Sequence, residues 1–573
     1  MVTGRRYKKD HVDCFYTSFS CSSFFFPRNQ FQYYVSHHLE RATTAISSYW
    51  IWWWEATSKK DQVNQAVLTV LIAIFATSWY LWASLRARKR TAPLPPGPRG
   101  LPIVGYLPFL GSNLHHSFAE LADIYGPIFK LWLGNRLCIV LTSPSLAKEV
   151  ARDQDIIFAN RDPPVAALIS SYDRLDIVWS PYGSYWRNLR KLFVREMLSN
   201  NILDRCHAHR RYEVRKTITN VYNKIGTPMD FGKLSFQTEL NVMTWSMWGN
   251  TIEGLEDSVT GVSFRELSNE VMRLLGKTNI SDFFPVLARF DIQGVEREMK
   301  KVFLSVDQIL DHIIEQRMKL DTAKEKRASN NREEKDFLQF LLDVKEQEAT
   351  ETPITRTQIK ALLLDILVGG TDTTATTIEW AMAEMMSNPE TMRKAQEELA
   401  DVVGMTNIVE ESHLPKLKYM DAVMKETLRL RPAIAVLVPK RPSQSCTVGG
   451  YTVPKGTKVF LNVWAMHRDP KYWDNPSEFK PERFLTDSSR WDYRGNNFQY
   501  LPFGSGRRVC PGIPLAERML IYLLASLLHS FDWQLITKGE DLDLSEQFGI
   551  VLKKRTPLIV IPTKRLPNSA LYA

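Results

Sequence analysis

Hydrophobic and polar positions follow a helical period over most of the chain beyond residue 101, and shorter runs interrupt it in two places. Residues 102–141 alternate short apolar runs with glycine and proline, which favours a strand-rich first lobe. A second strand-like stretch lies between Cys446 and Phe460. No internal repeat or low-complexity linker divides the chain after residue 94. The pattern therefore predicts one large, mainly α domain with small β-sheets over residues 101–573.

The segment before residue 101 is organised differently. Residues 66–85 carry no charged side chain, and a bilayer needs about 20 residues of apolar helix. Arg86, Arg88, Lys89 and Arg90 follow at once, and such cations favour the cytosolic side of a membrane. We predict a transmembrane signal-anchor helix over residues 63–85, followed by a cytosolic catalytic domain. A buried core helix is the alternative.

A basic stop and a proline-rich hinge occupy residues 86–100. Proline fixes φ, so Pro95, Pro96 and Pro98 make this spacer stiff. Residues 1–62 form an N-terminal extension to which the sequence assigns no function. Its basic residues and serines favour a targeting peptide, whereas Asp10 and Asp13 argue against one.

Composition narrows the class of protein. The chain has 573 residues of which 44% are hydrophobic, enough for a large core and a cofactor. Its six cysteines include no Cys-x-x-Cys pair, which argues against a zinc site or a disulfide framework. The net charge is +10, but no long basic block and no nucleic-acid motif accompanies it. We expect no nucleic-acid partner, and a negatively charged redox partner or membrane surface accounts for the charge.

Cys510 lies in a glycine-bracketed loop just before the apolar, helix-prone residues 515–530. The start of a helix favours an anionic sulfur. Gly506 and Gly512 leave room for main-chain N–H groups near that sulfur. Arg508 is placed to pair with a haem propionate, and Phe503 to shield the sulfur from water. The loop is typical of a haem-thiolate site, and a structural cysteine in a turn is the alternative.

A second motif, Gly369-Gly370-Thr371-Asp372-Thr373-Thr374, lies inside a helical pattern that begins with a capping box at Thr355 and Gln358. Each mid-helix glycine costs about 1 kcal/mol relative to alanine. Missing side chains let a flat cofactor and dioxygen approach the backbone, and threonine hydroxyls bond to preceding carbonyls. We predict a polar notch with Gly370 beside the cofactor; a kink without chemistry is the alternative.

Two further pairs of residues each share a helix face. Glu426 and Arg429 are three residues apart, for which a surface ion pair is the usual explanation. Trp186 and Arg190 are four residues apart, and an ordinary amphipathic helix would also place them so.

Together these segments resemble the cytochrome P450 superfamily. Residues Phe503 to Gly512 match its haem-binding signature Phe-x-x-Gly-x-Arg-x-Cys-x-Gly, and the proline-rich hinge is similar to that of microsomal members. The resemblance implies the P450 fold, with Cys510 as the axial ligand of the iron of haem b. It also implies the roles of the other motifs: an acid–alcohol pair for proton delivery to dioxygen (Asp372, Thr373), partners of the haem propionates (Trp186, Arg190), and a buried structural network (Glu426, Arg429, Arg483).

The resemblance to plant-type members further implies a monooxygenase of the endoplasmic reticulum membrane. Dioxygen is split, one oxygen enters a C–H bond and the other leaves as water. Electrons would come from NADPH through a separate NADPH–cytochrome P450 reductase, because no nucleotide-binding glycine fingerprint follows a strand in this chain. A haem-thiolate isomerase or dehydratase, or a carrier without turnover, are the alternatives, and Asp372 with Thr373 favours oxygen activation.

The expected substrate is small and apolar. By their offset from the motifs, the substrate contacts would be mostly aliphatic, and an apolar pocket holds an apolar guest; these candidates are Ile434, Val436, Leu437, Val438, Phe548, Ile550 and Val551. Residues 284–294 and 368–374 look similar to plant terpenoid hydroxylases, notably the cadinene hydroxylase branch. We expect a sesquiterpene or another terpenoid, with a phenylpropanoid or flavonoid as the alternative.

Overall fold

The computed structural model describes residues 67–80, 93–251, 263–325, 336–346, 354–486, 490–536 and 542–573. It divides into two units, Met1–Arg86 and Ala87–Ala573. In the first unit the described part is helix α1 (Val67–Tyr80), whose large apolar side chains are exposed. This helix falls within the predicted anchor. The extension at 1–62, the remainder of the anchor and the basic stop at 86–90 lie outside the described residues.

The second unit is mainly helical with small sheets, which confirms the predicted fold class. Its helices are α2 (Leu114–Tyr125), α3 (Pro144–Lys148), α4 (Val165–Ser170), α5 (Ser184–Glu196), α6 (Asn200–Arg205), α7 (His207–Tyr222), α8 (Phe231–Trp248), α9 (Phe264–Gly276), α10 (Ile280–Phe283), α11 (Val295–Glu325), α12 (Phe337–Glu346), α13 (Arg356–Ser387), α14 (Pro389–Val403), α15 (Lys418–Leu430), α16 (Val463–Met466) and α17 (Ile513–Ser530).

Four small sheets account for the strands of the described residues. The strands are β1 (Ile128–Leu133), β2 (Arg136–Leu141), β3 (Asn160–Arg161), β4 (Met229–Asp230), β5 (Lys440–Arg441), β6 (Cys446–Val448), β7 (Tyr451–Val453), β8 (Lys458–Leu461), β9 (Phe531–Leu535), β10 (Glu546–Gln547), β11 (Lys553–Lys554) and β12 (Ile559–Lys564). The largest sheet has the order β1-β2-β8-β5-β3, with β2 and β8 parallel and the other pairs antiparallel. The remaining sheets are β4-β12-β9, β6-β7 and β10-β11.

Helix α13 runs through the centre of the second unit. Its predicted capping box forms: Gln358 N–H donates to Thr355 Oγ1 at 3.2 Å, and Thr355 N–H donates to Gln358 Oε1 at 2.8 Å. Helices α8 and α17 both pack against it. By length and composition, α17 is the one helix among the described residues that could cross a membrane, but 72% of it is buried inside the protein. Its apolar surface therefore belongs to the core.

A buried ion network joins α15 to the loop that follows α16. Glu426 and Arg429 are both 0% exposed, and Arg429 Nε and Nη2 donate to the two carboxylate oxygens at 2.6 and 2.9 Å. Arg483 Nε donates to Glu426 Oε1 at 3.0 Å, and the Lys480 N–H donates to the same oxygen at 2.8 Å. Every oxygen of the Glu426 carboxylate thus has a donor. Burial of an ion pair is tolerated only under that condition.

The network continues toward the loop that carries Cys510. Arg429 Nη1 donates to the carbonyl of His467 at 2.7 Å. Burial lowers the pKa of His467 to about 3, so its ring is neutral and Nε2 accepts the N–H of Leu501 at 2.9 Å. Beside it, the Tyr500 hydroxyl donates to the carbonyl of Lys425 at 2.9 Å. Residues 500–501 are therefore fixed to α15 directly upstream of Phe503.

Replacing Glu426 by alanine should give little haem-loaded protein. The change leaves Arg429 as a buried charge without its counterion, and loss of one partner of a buried pair costs about 3–5 kcal/mol. The haem-to-protein ratio and the thermal unfolding midpoint of the purified variant test this expectation. Glu482→Ala is the matched control, because Glu482 is partly exposed and pairs with Lys394 near the surface. Normal haem content in Glu426→Ala would contradict a structural role for the network.

Candidate active site

A large internal cavity lies between α13, the start of α17 and the loops at 433–440 and 502–512. It encloses about 1620 Å³ of space between atoms, counting its opening to solvent. Ten of the residues singled out from the sequence line it: Arg190, Gly370, Thr373, Ile434, Leu437, Val438, Phe503, Arg508, Cys510 and Gly512. The structure thus brings residues from four separate motifs around one space.

Cys510 is held in a tight loop immediately before α17. Its N–H donates to the carbonyl of Phe503 at 3.0 Å, and α17 begins at Ile513 with Gly512 as its N-cap. Burial raises the pKa of the Cys510 thiol, while the Gly512 N–H and the Arg190 guanidinium act in the opposite direction. The helix start favours the thiolate, but burial outweighs it. Full ionisation of the sulfur therefore requires a bound cation, which deprotonates a coordinating thiol.

Gly506 and Gly512, two of the three glycines of this loop, have different functions. Gly506 has a φ of +73°, and a Cβ there would lie 2.1 Å from the carbonyl oxygen of Ala151. Gly512 lies beside the sulfur, where a Cβ would be 3.7 Å from Cys510 Sγ. Gly506 is required by its backbone conformation and by the close approach of Ala151, and it is not part of the described cavity lining.

Two cations that the sequence analysis did not single out line the same cavity: Arg161 on β3 and Lys440 on β5. They are cross-strand neighbours, and like charges placed opposite each other destabilise a sheet. Lys440 is 4% exposed, and neither its Nζ nor Arg161 Nε has a hydrogen-bond partner in the described part of the chain. Burial lowers the pKa of Lys440 to about 7. Both side chains are therefore suited to bind an anionic group in the cavity.

The side chains predicted to meet the propionates donate to main-chain carbonyls in this structure, and their role toward haem stays a prediction. Arg190 Nη2 donates to the carbonyl of Val509 at 2.6 Å, next to the sulfur. Trp186 is 3% exposed, lies outside the described cavity lining and donates its Nε1–H to the carbonyl of Ile177 at 2.9 Å. Arg508 donates to three carbonyls, at 2.5–2.9 Å: those of Ala159, Ile177 and Ser180. These side chains fasten the loops around Cys510 to one another.

The glycine–threonine motif of α13 forms the wall opposite Cys510. A Cβ at Gly369 would meet nothing within 4 Å, whereas a Cβ at Gly370 would lie 2.7 Å from Cε of Met243. The free space of the notch is therefore at Gly369. Gly370 has no side chain where Met243 of α8 packs closely against the helix. The Thr373 hydroxyl lines the cavity and donates to the carbonyl of Gly369 at 2.8 Å.

Asp372 points to a different place. Its Oδ1 lies 2.6 Å from Lys553 Nζ, and its side chain lines a second, smaller cavity beside Asp230 and Arg265. Oδ2 is buried and has no hydrogen-bond partner in the described residues. The predicted acid–alcohol pair is thus divided between two sides of α13 in this structure.

The predicted substrate residues are divided as well. Ile434, Leu437 and Val438 line the cavity, and Leu437 has a φ of +46° in a turn closed by its N–H and the carbonyl of Ile434. The others are outside the described lining. Val436 and Phe548 pack in the apolar cluster with Phe118 and Phe460, Val551 is buried, and Ile550 is partly buried near Gly276. The turn at Leu437 sends neighbouring side chains in opposite directions.

Fold and site together define a haem-thiolate protein. A family model described as cytochrome P450 matches residues 95–561. A geraniol 8-hydroxylase from Swertia mussotii is 41% identical over 87% of this chain and 99% of its own length. A flavonoid 3'-monooxygenase from Crocosmia x crocosmiiflora is 37% identical over 86% of this chain and 99% of its own length. A zebrafish cytochrome P450 solved with abiraterone superposes with a TM-score of 0.65 at 26% identity, covering 79% of this chain and 99% of that one.

The chain belongs to the cytochrome P450 family and is a cytochrome P450 monooxygenase. Its cofactor is haem b, supplied with electrons from NADPH by a redox-partner reductase. The residues present fit this group: Cys510 offers a sulfur ligand, and Lys440 Nζ and Arg161 Nε are donors without a partner in the described residues that would meet the propionates, while Arg161 Nη1 donates to the carbonyl of Val438. When bound, haem supplies the redox chemistry that activates dioxygen.

Replacing Cys510 by alanine should abolish the red-shifted absorption band of the reduced, CO-bound protein, because that band requires a thiolate ligand. The difference spectrum of the purified variant is the measurement. Cys446→Ala serves as the control, since Cys446 lies on β6 outside the described cavity lining. Retention of the band in Cys510→Ala would overturn the ligand assignment.

Replacing Lys440 by methionine should weaken haem binding. A charge-assisted hydrogen bond contributes about 1.5–3 kcal/mol, so haem should be lost about tenfold faster or more. The rate of haem transfer to excess apomyoglobin measures the change. Lys455→Met is the control, because Lys455 is exposed. Equal haem retention in Lys440→Met and the wild type would exclude Lys440 as a propionate partner.

Proposed function

We propose that this monooxygenase hydroxylates a small terpenoid, with a sesquiterpene as the first choice. The proposal is supported mainly by an aliphatic wall of the cavity that contains Cys510 and Thr373. This wall is formed by Ala433, Ile434, Leu437 and Val438. An apolar wall binds its guest by shape and by release of water, at about 25 cal/mol per Å² of buried apolar surface. The relative named geraniol 8-hydroxylase supports the class of substrate.

A phenylpropanoid or flavonoid is the second candidate, and the relative named flavonoid 3'-monooxygenase keeps it in consideration. Phenolic hydroxyls lose water on entering a pocket and need hydrogen-bond partners there. The four wall residues offer no side-chain donor or acceptor. At this aliphatic wall a terpenoid is therefore favoured, because a phenolic hydroxyl placed against it would have no side-chain partner.

The proposal includes attachment to the endoplasmic reticulum membrane through the anchor at residues 63–85. The described part of that segment, α1, exposes Ile72 at 60% and Phe75 at 68%. Apolar side chains in such number are unfavourable in water and favourable in lipid. Arg86, Arg88, Lys89 and Arg90, which lie outside the described residues, would keep the catalytic domain on the cytosolic side.

The proposed electron donor is NADPH–cytochrome P450 reductase. Arg187 and Lys191 are exposed on α5, four residues apart and therefore on one helix face. The same helix carries Arg190, which contacts the Cys510 loop. An acidic partner surface would be attracted to this face.

Membranes that contain this protein and a plant reductase should convert a sesquiterpene to a monohydroxylated product only when NADPH and oxygen are present. The test is a panel of sesquiterpenes, monoterpene alcohols, phenylpropanoids and flavonoids, analysed by mass spectrometry with and without NADPH. Turnover of flavonoids but not of terpenoids would refute the substrate class. Product formation without NADPH would refute oxygen insertion itself.

Ile434→Ala should bind the preferred terpenoid about fiftyfold more weakly, since it removes three carbons and each buried methylene contributes about 0.8 kcal/mol. The substrate-induced change of the haem absorption spectrum gives the affinity. Ile536→Ala is the control, because Ile536 is 50% exposed. Equal affinities in the two variants would show that the wall does not contact the substrate.

A further inference from the structure

A buried carboxyl group that no motif includes lies in the wall of the active-site cavity. Glu239, on α8, is 2% exposed and lines the cavity together with Thr373, Thr374 and Cys510. Its Oε1 has no hydrogen-bond partner within the described part of the chain. A buried acceptor left in this state costs about 1–3 kcal/mol, so its retention requires an explanation.

The packing of α8 on α13 places Glu239 opposite the threonines. The helices run antiparallel: a Cβ at Gly232 would lie 2.7 Å from Oε2 of Glu379, and Met243 lies over Gly370. Between these two contacts, Glu239 falls opposite the turn that begins at Thr373. Glu239 also precedes Met243 by one helical turn, so the two side chains share a face.

The threonines of α13 that face the cavity have hydroxyl oxygens available to accept hydrogen bonds. Thr373, Thr374 and Thr377 donate their hydroxyl protons to the carbonyls four residues earlier, at 2.8, 2.9 and 2.8 Å. A hydroxyl keeps two acceptor lone pairs when it donates. Because these three hydroxyl protons are already donated to carbonyls, another group beside the threonines must supply any proton that is to pass along their hydroxyl groups.

A protonated Glu239 would be that donor. Burial raises the pKa of Glu239 to about 8, and no cation offsets the effect of burial. The other carboxylates of the region are engaged elsewhere: Asp365 on α13 accepts the N–H of Ile177, and Asp372 is paired with Lys553. The cavity lining also contains four cationic side chains: Arg161, Arg190, Lys440 and Arg508. Glu239 is thus the neutral acid among these groups at neutral pH.

We propose that Glu239 is a positioning residue for proton delivery, which passes a proton to the hydroxyl row of Thr373 and Thr374 and is reprotonated from solvent. The reaction consumes one substrate C–H, one dioxygen, two electrons and two protons, and yields one alcohol and one water. NADPH supplies the electrons through the reductase. Glu239 carries protons only and returns to its neutral form after each transfer. The proposal rests on the monooxygenase reaction and is independent of the terpenoid assignment.

The decisive variant is Glu239→Gln, which preserves the size of the side chain and removes its acidic proton. We expect normal haem content and a normal reduced CO spectrum. The fraction of NADPH electrons recovered in product should fall about tenfold, with hydrogen peroxide making up the difference, and the solvent deuterium isotope effect should rise. Glu379→Gln is the matched control, because Glu379 is a partly buried carboxylate on α13 that accepts the N–H of Leu558 and lies outside the cavity lining.

An infrared measurement on the haem-loaded protein tests the charge state without turnover. The wild type should show the carbonyl stretch of a protonated carboxylic acid, shifted in D₂O, absent from Glu239→Gln and lost with a midpoint near pH 8. The sign follows from burial, which stabilises the neutral form until the pH exceeds the raised pKa. A wild-type protein without this band at pH 6, or Glu239→Gln with unchanged coupling, would overturn the proposal.

Should Glu239→Gln lose haem, Glu239→Met is the deciding variant, since an apolar side chain leaves no polar group unsatisfied. Uncoupled turnover in Glu239→Met supports the proposal, and wild-type coupling in it refutes the proposal. If the wild type accepts no terpenoid, the substrate assignment fails alone, because the infrared result does not depend on a substrate.

Discussion

The burial of one carboxylate, Glu426, organises the contacts that hold the start of the Cys510 loop. Glu426 has no exposure to solvent, so its charge persists only because Arg429, Arg483 and the Lys480 N–H all donate to it. Arg429 in turn holds the His467 carbonyl, and the neutral His467 ring holds the N–H of Leu501. The chain of donors and acceptors ends two residues before Phe503. The Cys510 loop is therefore held in place although its cavity opens to solvent, because the residues that precede the loop are bonded to the buried network of α15.

Charge is distributed unevenly around the cavity. Arg161 and Lys440 lie opposite each other on β3 and β5; Lys440 Nζ and Arg161 Nε have no hydrogen-bond partner in the described residues, while Arg161 Nη1, Arg190 and Arg508 donate to main-chain carbonyls. A buried cation without a partner is costly unless a bound anion pairs with it. Bound haem would offer propionates to these cations and an iron to the Cys510 sulfur. Its binding would therefore offset the excess of buried cations, so cofactor binding and stability are coupled.

The sequence predicted those features that short contiguous segments encode. The capping box at Thr355, the strands near Cys446 and the Cys510 loop before an apolar helix each depend on neighbours within a few positions. Arg161 and Lys440 escaped prediction because two-residue strands distant in sequence bring them together. Val436 was predicted beside the substrate, but the left-handed turn at Leu437 directs it into another cluster. Glu239 matches no motif, since only the packing of α8 on α13 defines its surroundings.

The side chains of the Gly-Gly-Thr-Asp-Thr-Thr motif in α13 point to two different cavities. Successive side chains are about 100° apart, whereas positions three and four apart share a face. Gly370, Thr373, Thr374 and Thr377 line the active-site cavity, whereas Asp372 lines the second, smaller one. It meets Lys553 there. Asp365, another acid of α13 that lines the cavity, accepts the N–H of Ile177, and Glu239 on α8 is the carboxyl group of the lining that has an unpartnered oxygen in the described residues. Helix α13 thus carries an ion-paired acid on one side and hydroxyl groups on the other, and the proposed proton donor, Glu239, reaches the hydroxyl side from α8.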